Sequence, residues 1–120
     1  MASPAAEPTI FSRIVAREIP ATIVAETDHI IAFNDIHPQA PVHVVVTTKT
    51  QQYRNVGELA AGNPTLLAEL VAVAGRVADE HCSGEYRLVF NTGESAGQTV
   101  FHVHAHVLGG GLEEGTLAAQ

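Results

Sequence analysis

Phe101-His102-Val103-His104-Ala105-His106-Val107-Leu108 alternates imidazole with small apolar side chains. On an extended strand successive side chains point to opposite faces. His102, His104 and His106 therefore share one face, while Val103, Ala105 and Val107 take the other and must meet a core. The plainest use of the imidazole face is a row of solvated or hydrogen-bonded histidines, but three at this spacing point to a site. Two chemistries suit them. Neutral imidazoles ligate metals, and one histidine can instead act as a nucleophile flanked by two that orient it and handle protons. A metal site usually recruits a carboxylate or thiolate, and the only one beside this strand is Glu94 in the preceding loop. That loop, Asn91-Thr92-Gly93-Glu94-Ser95-Ala96-Gly97-Gln98, and Thr99 after it offer glycines that let backbone N–H groups approach an anion, with amide and hydroxyl donors beside them.

Outward from this strand, the elements alternate in kind. Val100–Leu108 is expected as a fifth strand, ended by Gly109-Gly110-Gly111, and Tyr86–Phe90 as the fourth. Asn63 as N-cap and Pro64 in the first turn open one long helix, with a stripe of Leu66, Leu67, Leu70, Val71, Ala74, Val77 and Ala78 running to about His81. Ser83-Gly84 ends it. Val42–Thr48 is almost continuously apolar, which predicts a central strand. Asn34–Pro41 carries two prolines and is a loop. Thr22–Glu26 and His29–Phe33 are β-branched runs around Thr27-Asp28, a hairpin. Ile10, Phe11, Ile14 and Val15 have helical spacing, so a short helix precedes Pro20. Five strands with one long and one short helix in this order predict an α+β fold with a mainly antiparallel sheet.

The chain has 120 residues, enough for one domain with a single core. Residues 1–8 are expected as a flexible arm, 9–111 as the domain and 112–120 as a tail. Apolar residues make up 46% and charged ones only 16%, which excludes a disordered or fibrous chain. Six basic residues against 13 acidic give a net charge of −7, an unsuitable field for non-specific nucleic-acid binding. A local cluster can still hold a small anion. The single Cys82 excludes an intramolecular disulfide and fits a reducing, cytoplasmic compartment. No apolar run is long enough to cross a bilayer, and no signal-like segment opens the chain, so no membrane partner is expected.

His102-Val103-His104-Ala105-His106-Val107-Leu108 resembles the signature of the histidine triad (HIT) family, His-φ-His-φ-His-φ-φ with φ apolar, at every position. Thr9–Val15 with Glu18–Ala21, Ala32–His43, Asn91–Gly93 and Gly97–Phe101 resemble other parts of the same family, so the likeness covers about residues 9–111. It points to the nucleotide-binding, nucleoside-phosphoramidase branch. The resemblance implies a HIT-like fold, a homodimer, and hydrolysis of the P–N bond of purine nucleoside 5′-phosphoramidates or related nucleotidyl anhydrides. It makes His104 the nucleophile that forms a nucleotidyl-histidine, His102 its orienter with His43 as that residue's partner, and His106 a contact to the phosphate or leaving group. Asp35 matches the carboxylate that takes the ribose hydroxyls, while Asn91, Gly97, Gln98 and Thr99 match phosphate or leaving-group positions. Thr9 and Ser12 stand where many members carry a zinc-binding cysteine pair, so neither a metal nor another cofactor is expected. The tail lacks the aromatic residue with which relatives shape substrate preference. A nucleotide- or partner-binding module with little turnover and a metal-binding HxHxH protein are the competing readings.

Overall fold

The structure, a computed structural model, describes residues 7–113. Most of the expected arm (residues 1–6) and tail (residues 114–120) lies outside the described residues. A short helix α1 (Ile10–Val15) leads into five strands: β1 (Ile23–Glu26), β2 (Ile30–Asn34), β3 (Val42–Thr48), β4 (Arg87–Val89) and β5 (His104–Gly109). Helices α2 (Val56–Gly62) and α3 (Pro64–Cys82) lie between β3 and β4. The strands form one sheet in the order β1-β2-β3-β5-β4, with every pairing antiparallel. This is an α+β fold, as the order of elements predicts.

Both faces of the central strands are covered. Val44 and Val46 of β3 share a cluster with Ala105 and Val107 of β5, and α3 packs Leu70, Val73 and Val77 onto it. On the opposite face Val45 joins Ile31 and Phe33 of β2 beneath Phe11 and Ile14 of α1. Pairing Val45 with His106 and Thr47 with His104 brings the triad strand directly against β3. Helix α3 runs as expected: Asn63 accepts from the Leu66 N–H at 3.0 Å, Pro64 fills the first turn, and the chain leaves through Ser83 at φ 59°. No helix among the described residues is long and apolar enough to cross a membrane.

Three expectations need correction. The stretch before α3 folds as an additional helix, α2, where none is expected, because Asn55 caps it by accepting from the Glu58 N–H at 2.9 Å and Leu59 is fully buried. Gly57 and Gly62 weaken its sequence signal. The fourth strand is shorter than Tyr86–Phe90. The fifth starts at His104 rather than Val100, since its ladder to β3 ends at the Thr47–His104 pair. Beyond it, the Val103 N–H donates to the Tyr53 carbonyl at 2.9 Å and the Thr47 hydroxyl donates to the Val103 carbonyl at 2.7 Å. These bonds replace ladder bonds and turn the chain at His102 and Val103 away from the sheet.

Leu59 is the buried anchor of α2, so Leu59→Ala is expected to cost about 2–5 kcal/mol, the range for leaving a core cavity. Urea denaturation measures it, and a loss below about 1 kcal/mol would mean that α2 contributes no packed surface.

Candidate active site

All three triad histidines are buried. His102 has no exposed surface, while His106 is 3% and His104 8% exposed. His104 and His106 line a cleft of about 310 Å³, walled on one side by Ile10 and Phe11 of α1 and on another by Phe33 and Asp35. The Phe11 ring meets the His104 ring edge-on, centroids 4.7 Å apart.

Hydrogen bonds settle which nitrogen of each ring carries a hydrogen. His104 Nδ1 lies 2.8 Å from the carbonyl of His102. A carbonyl only accepts, so Nδ1 donates and Nε2 is the basic nitrogen of the neutral ring. His102 lies just ahead of β5, and its carbonyl meets the ring two residues on. His43 Nδ1 accepts from the Gln39 N–H at 2.9 Å, which puts the ring hydrogen on Nε2. His43 Nε2 then donates to His106 Nδ1, also at 2.9 Å. His106 is left with an Nε2–H that is buried and has no hydrogen-bond partner. A buried donor without an acceptor is costly in a folded protein, and here it belongs to a ring on the cleft wall. An acceptor on a ligand would satisfy it.

The expected partner of His102 is not His43. The β3–β5 register sets His43 opposite Leu108 and so diagonal to His106, which it meets instead. His102 is held by Thr48, whose carbonyl accepts from its Nε2 at 2.6 Å, and by Thr9, whose hydroxyl lies 2.6 Å from its Nδ1. Phe11, Gln39, Thr9 and Thr48 are site residues that spacing and composition do not reveal. Thr9 alone had a usable signal, as a helix-capping residue ahead of the apolar run.

Asp35 reaches the site: its Oδ2 is 3.4 Å from His43 Nε2, and Oδ1 accepts from the His37 N–H at 2.7 Å. Thr99 lines the cleft, whereas Asn91, Gly97 and Gln98 are not among its lining residues. The Gln98 amide serves the chain instead. It donates to the carbonyls of Arg54 at 2.7 Å and Val100 at 3.1 Å and accepts from the Gly93 N–H at 2.9 Å. Gly93 and Gly97 both have positive φ, at 92° and 95°, so this loop takes a path suited to glycine.

The three triad imidazoles do not converge as metal donors, because both His102 nitrogens and His104 Nδ1 are engaged. Among the described residues, the donor atoms that do converge are those of Asp35, His43 and His106, within 4.8 Å of one another. Of these residues, His43 and His106 are already hydrogen-bonded to each other through Nε2 and Nδ1.

The profile of the HIT domain matches residues 16–112. The chain belongs to the HIT domain family. Among HIT relatives, a purine nucleoside phosphoramidase of Escherichia coli (strain K12) is 41% identical over 107 residues, covering 88% of this chain and 89% of the relative. An uncharacterised HIT-like protein of Synechocystis is 49% identical over 109 residues, covering 88% of this chain and 92% of its own. The solved HIT family hydrolase of Clostridium thermocellum is similar at a TM-score of 0.86 and 39% identity, covering 95% of this chain and all of that one.

Burial keeps the histidines of this HIT site neutral. Desolvation, followed by the neighbouring His104 and His43, lowers the His106 pKa from 6.5 to about 4, and burial lowers His43, His102 and His104 as well. Below pH 6.5 the unfolded chain takes up protons that these buried rings refuse. Stability is thus fully present above pH 6.5 and is lost as the pH falls towards 4. His106 alone accounts for a loss on the order of 3 kcal/mol. Melting temperatures are expected to fall steadily from pH 7 to 4, and His106→Asn, which cannot titrate, should flatten the curve. An unchanged slope in that variant would contradict the assignment.

Proposed function

We propose that this protein is a nucleotide hydrolase that cleaves the P–N bond of purine nucleoside 5′-phosphoramidates, or related nucleotidyl anhydrides, through a covalent nucleotidyl-histidine on His104. One observation carries the reading: His104 Nδ1 is tied to the His102 carbonyl, which leaves Nε2 as the nucleophilic nitrogen of a neutral ring on the cleft wall. The purine nucleoside phosphoramidase among the relatives supports the substrate class.

In the first displacement a bond forms between His104 Nε2 and the α-phosphorus as the P–N bond breaks. In the second, water attacks the same phosphorus and the bond to histidine breaks. One water is consumed overall, its hydroxyl ending on phosphorus and its hydrogen on the amine. Two displacements replace direct attack by water on a shielded centre, the usual gain of covalent catalysis. The unpaired His106 Nε2–H donates to a phosphoryl oxygen or the departing group, as a preorganised donor in a water-poor site. Asp35 takes the ribose hydroxyls with the acceptor capacity of its carboxylate. Thr99 donates to the phosphate, while Gln98, spent on backbone groups, keeps the Gly93–Gly97 loop in place beside it. Asn91, at the start of the same loop, contacts the phosphate or the leaving group. No metal or other cofactor takes part, and the single Cys82 suits a cytoplasmic setting.

The dimer belongs to the same reading. Strand β4 is one of the two edges of the sheet, and beside it Cys82, Tyr86, Arg87 and Gly109–Gly111 line an open concavity. A second copy pairing across a two-fold axis would cover both the edge and the hollow. Sedimentation at micromolar concentration is expected to give twice the chain mass, and a mass near one chain would refute the dimer.

His104→Ala should lower kcat by several orders of magnitude, as removing other nucleophiles does, with ligand affinity changed far less. His102→Ala and His106→Ala should be slowed roughly 10²–10⁴-fold without being silent. Rapid quench with a labelled phosphoramidate followed by peptide mapping should place the label on His104, with activity intact in EDTA. Label on His102 or His106, or a fully active His104→Ala enzyme, would remove the mechanism. A bound nucleotide with no turnover would favour a binding module.

A further inference from the structure

The hydrogen bonds of the first triad histidine lead out of the triad to Thr9, the residue before α1. Thr9 Oγ1 accepts from the Ser12 N–H at 3.0 Å and so caps the helix. The same oxygen lies 2.6 Å from His102 Nδ1. With one lone pair on the Ser12 N–H, the hydroxyl hydrogen is the one available to the ring. On the far side of the ring, Nε2 lies 2.6 Å from the Thr48 carbonyl, which only accepts. The two contacts agree: Nε2 carries the hydrogen, Nδ1 is bare, and Thr9 donates to it. The ring is completely buried, so no solvent water replaces either partner. Backbone bonds steady the Thr9 end: its N–H donates to Gln51 Oε1 at 3.4 Å, and its carbonyl accepts from the Arg13 N–H at 3.0 Å.

We propose that Thr9 is a positioning residue of the active site, whose hydroxyl fixes the tautomer and seating of His102 and thereby the carbonyl that orients His104. The proposal rests on His104 being the nucleophile. Thr9 touches no substrate in this scheme and acts through two bonds in series, its own to His102 Nδ1 and that of the His102 carbonyl to His104 Nδ1. It also joins the cleft wall to the triad. Phe11, two residues on, lies edge-on to both His102 and His104, at 5.7 and 4.7 Å between centroids, and Ile10 and Ile14 line the cleft. One hydroxyl thus sets both the wall and the histidine behind the nucleophile.

A purely structural role as helix cap makes a different set of variants harmful, and four side chains at position 9 separate the two. Thr9→Ser keeps both the acceptor for Ser12 and the donor for His102. Thr9→Asp keeps the acceptor, but its carboxylate cannot donate to Nδ1 and instead favours a hydrogen there. Thr9→Val keeps the shape and loses both. Steady-state kcat and KM with a purine nucleoside phosphoramidate, melting temperatures and nitrogen-15 imidazole spectra of His102 are measured for each. The expected result is a His102 protonated only at Nε2 in the wild type and in Thr9→Ser, with wild-type kcat. In Thr9→Asp, His102 should gain a hydrogen at Nδ1 and kcat should fall about tenfold or more while KM changes little. Thr9→Val should lose kcat similarly and also melt earlier.

Wild-type kcat in Thr9→Asp, or an unaltered His102 spectrum in both Asp and Val variants, would overturn the positioning role and leave only the cap. If Thr9→Val fails to fold, Thr9→Ser and Thr9→Asp still decide. A wild-type chain that turns over no phosphoramidate would refute the hydrolase reading instead, and the imidazole spectra would then judge the Thr9 bond on their own.

Discussion

Strand β3 is hydrogen-bonded on both sides, to β2 and to β5, and every residue from His43 to Thr48 is buried. The site depends on this pairing. Its register places His43 diagonal to His106 on one face and Val44 against Val107 on the other. A slip of one residue would turn each strand's side chains to the wrong face and bury the histidines under α3. The apolar face, with Val46, Ala105 and Val107 beneath Leu70 and Val73, makes such a slip expensive.

Because α1 covers the opposite face, the histidines sit in an environment poor in water and are held in their neutral forms. Hydrogen bonds then decide what each ring can do. Every ring nitrogen of His43 and His102 has a protein partner, and the one buried side-chain polar atom among the described residues with none is His106 Nε2. A folded chain tolerates such an atom where a ligand supplies the missing acceptor. The contrast with Gln98 is useful. Its amide looks like a ligand group in the sequence, yet it bonds the backbone of Gly93, Arg54 and Val100, so it acts on the loop and not in the cleft.

The break in β5 at His102 is equally a part of the site. His102 stands outside the ladder, which ends at the Thr47–His104 pair, and its carbonyl holds the His104 ring. Tyr53 and Thr47 pair the N–H and the carbonyl of Val103 where the ladder has ended.

Period-two alternation in Phe101–Leu108 was enough to assign the two faces of the last strand, because side-chain direction on a strand is a local property. The apolar run Val42–Thr48 likewise announced a central strand, and Asn63-Pro64 the start of α3, since capping and φ restriction are also local. Helix α2 went unseen although Asn55 and Glu58 have capping spacing, for its stability comes from burying Leu59 rather than from its glycine-bearing sequence. Which histidine meets which could not be read from spacing. His43 and His106 are 63 residues apart and Thr9 and His102 are 93 apart, so their contacts exist only once the register of β3 with β5 and the docking of α1 are set. Sequence determined the residue types on each face. Tertiary structure alone decided their partners, tautomers and exposure, because those depend on distances between segments that no local preference fixes.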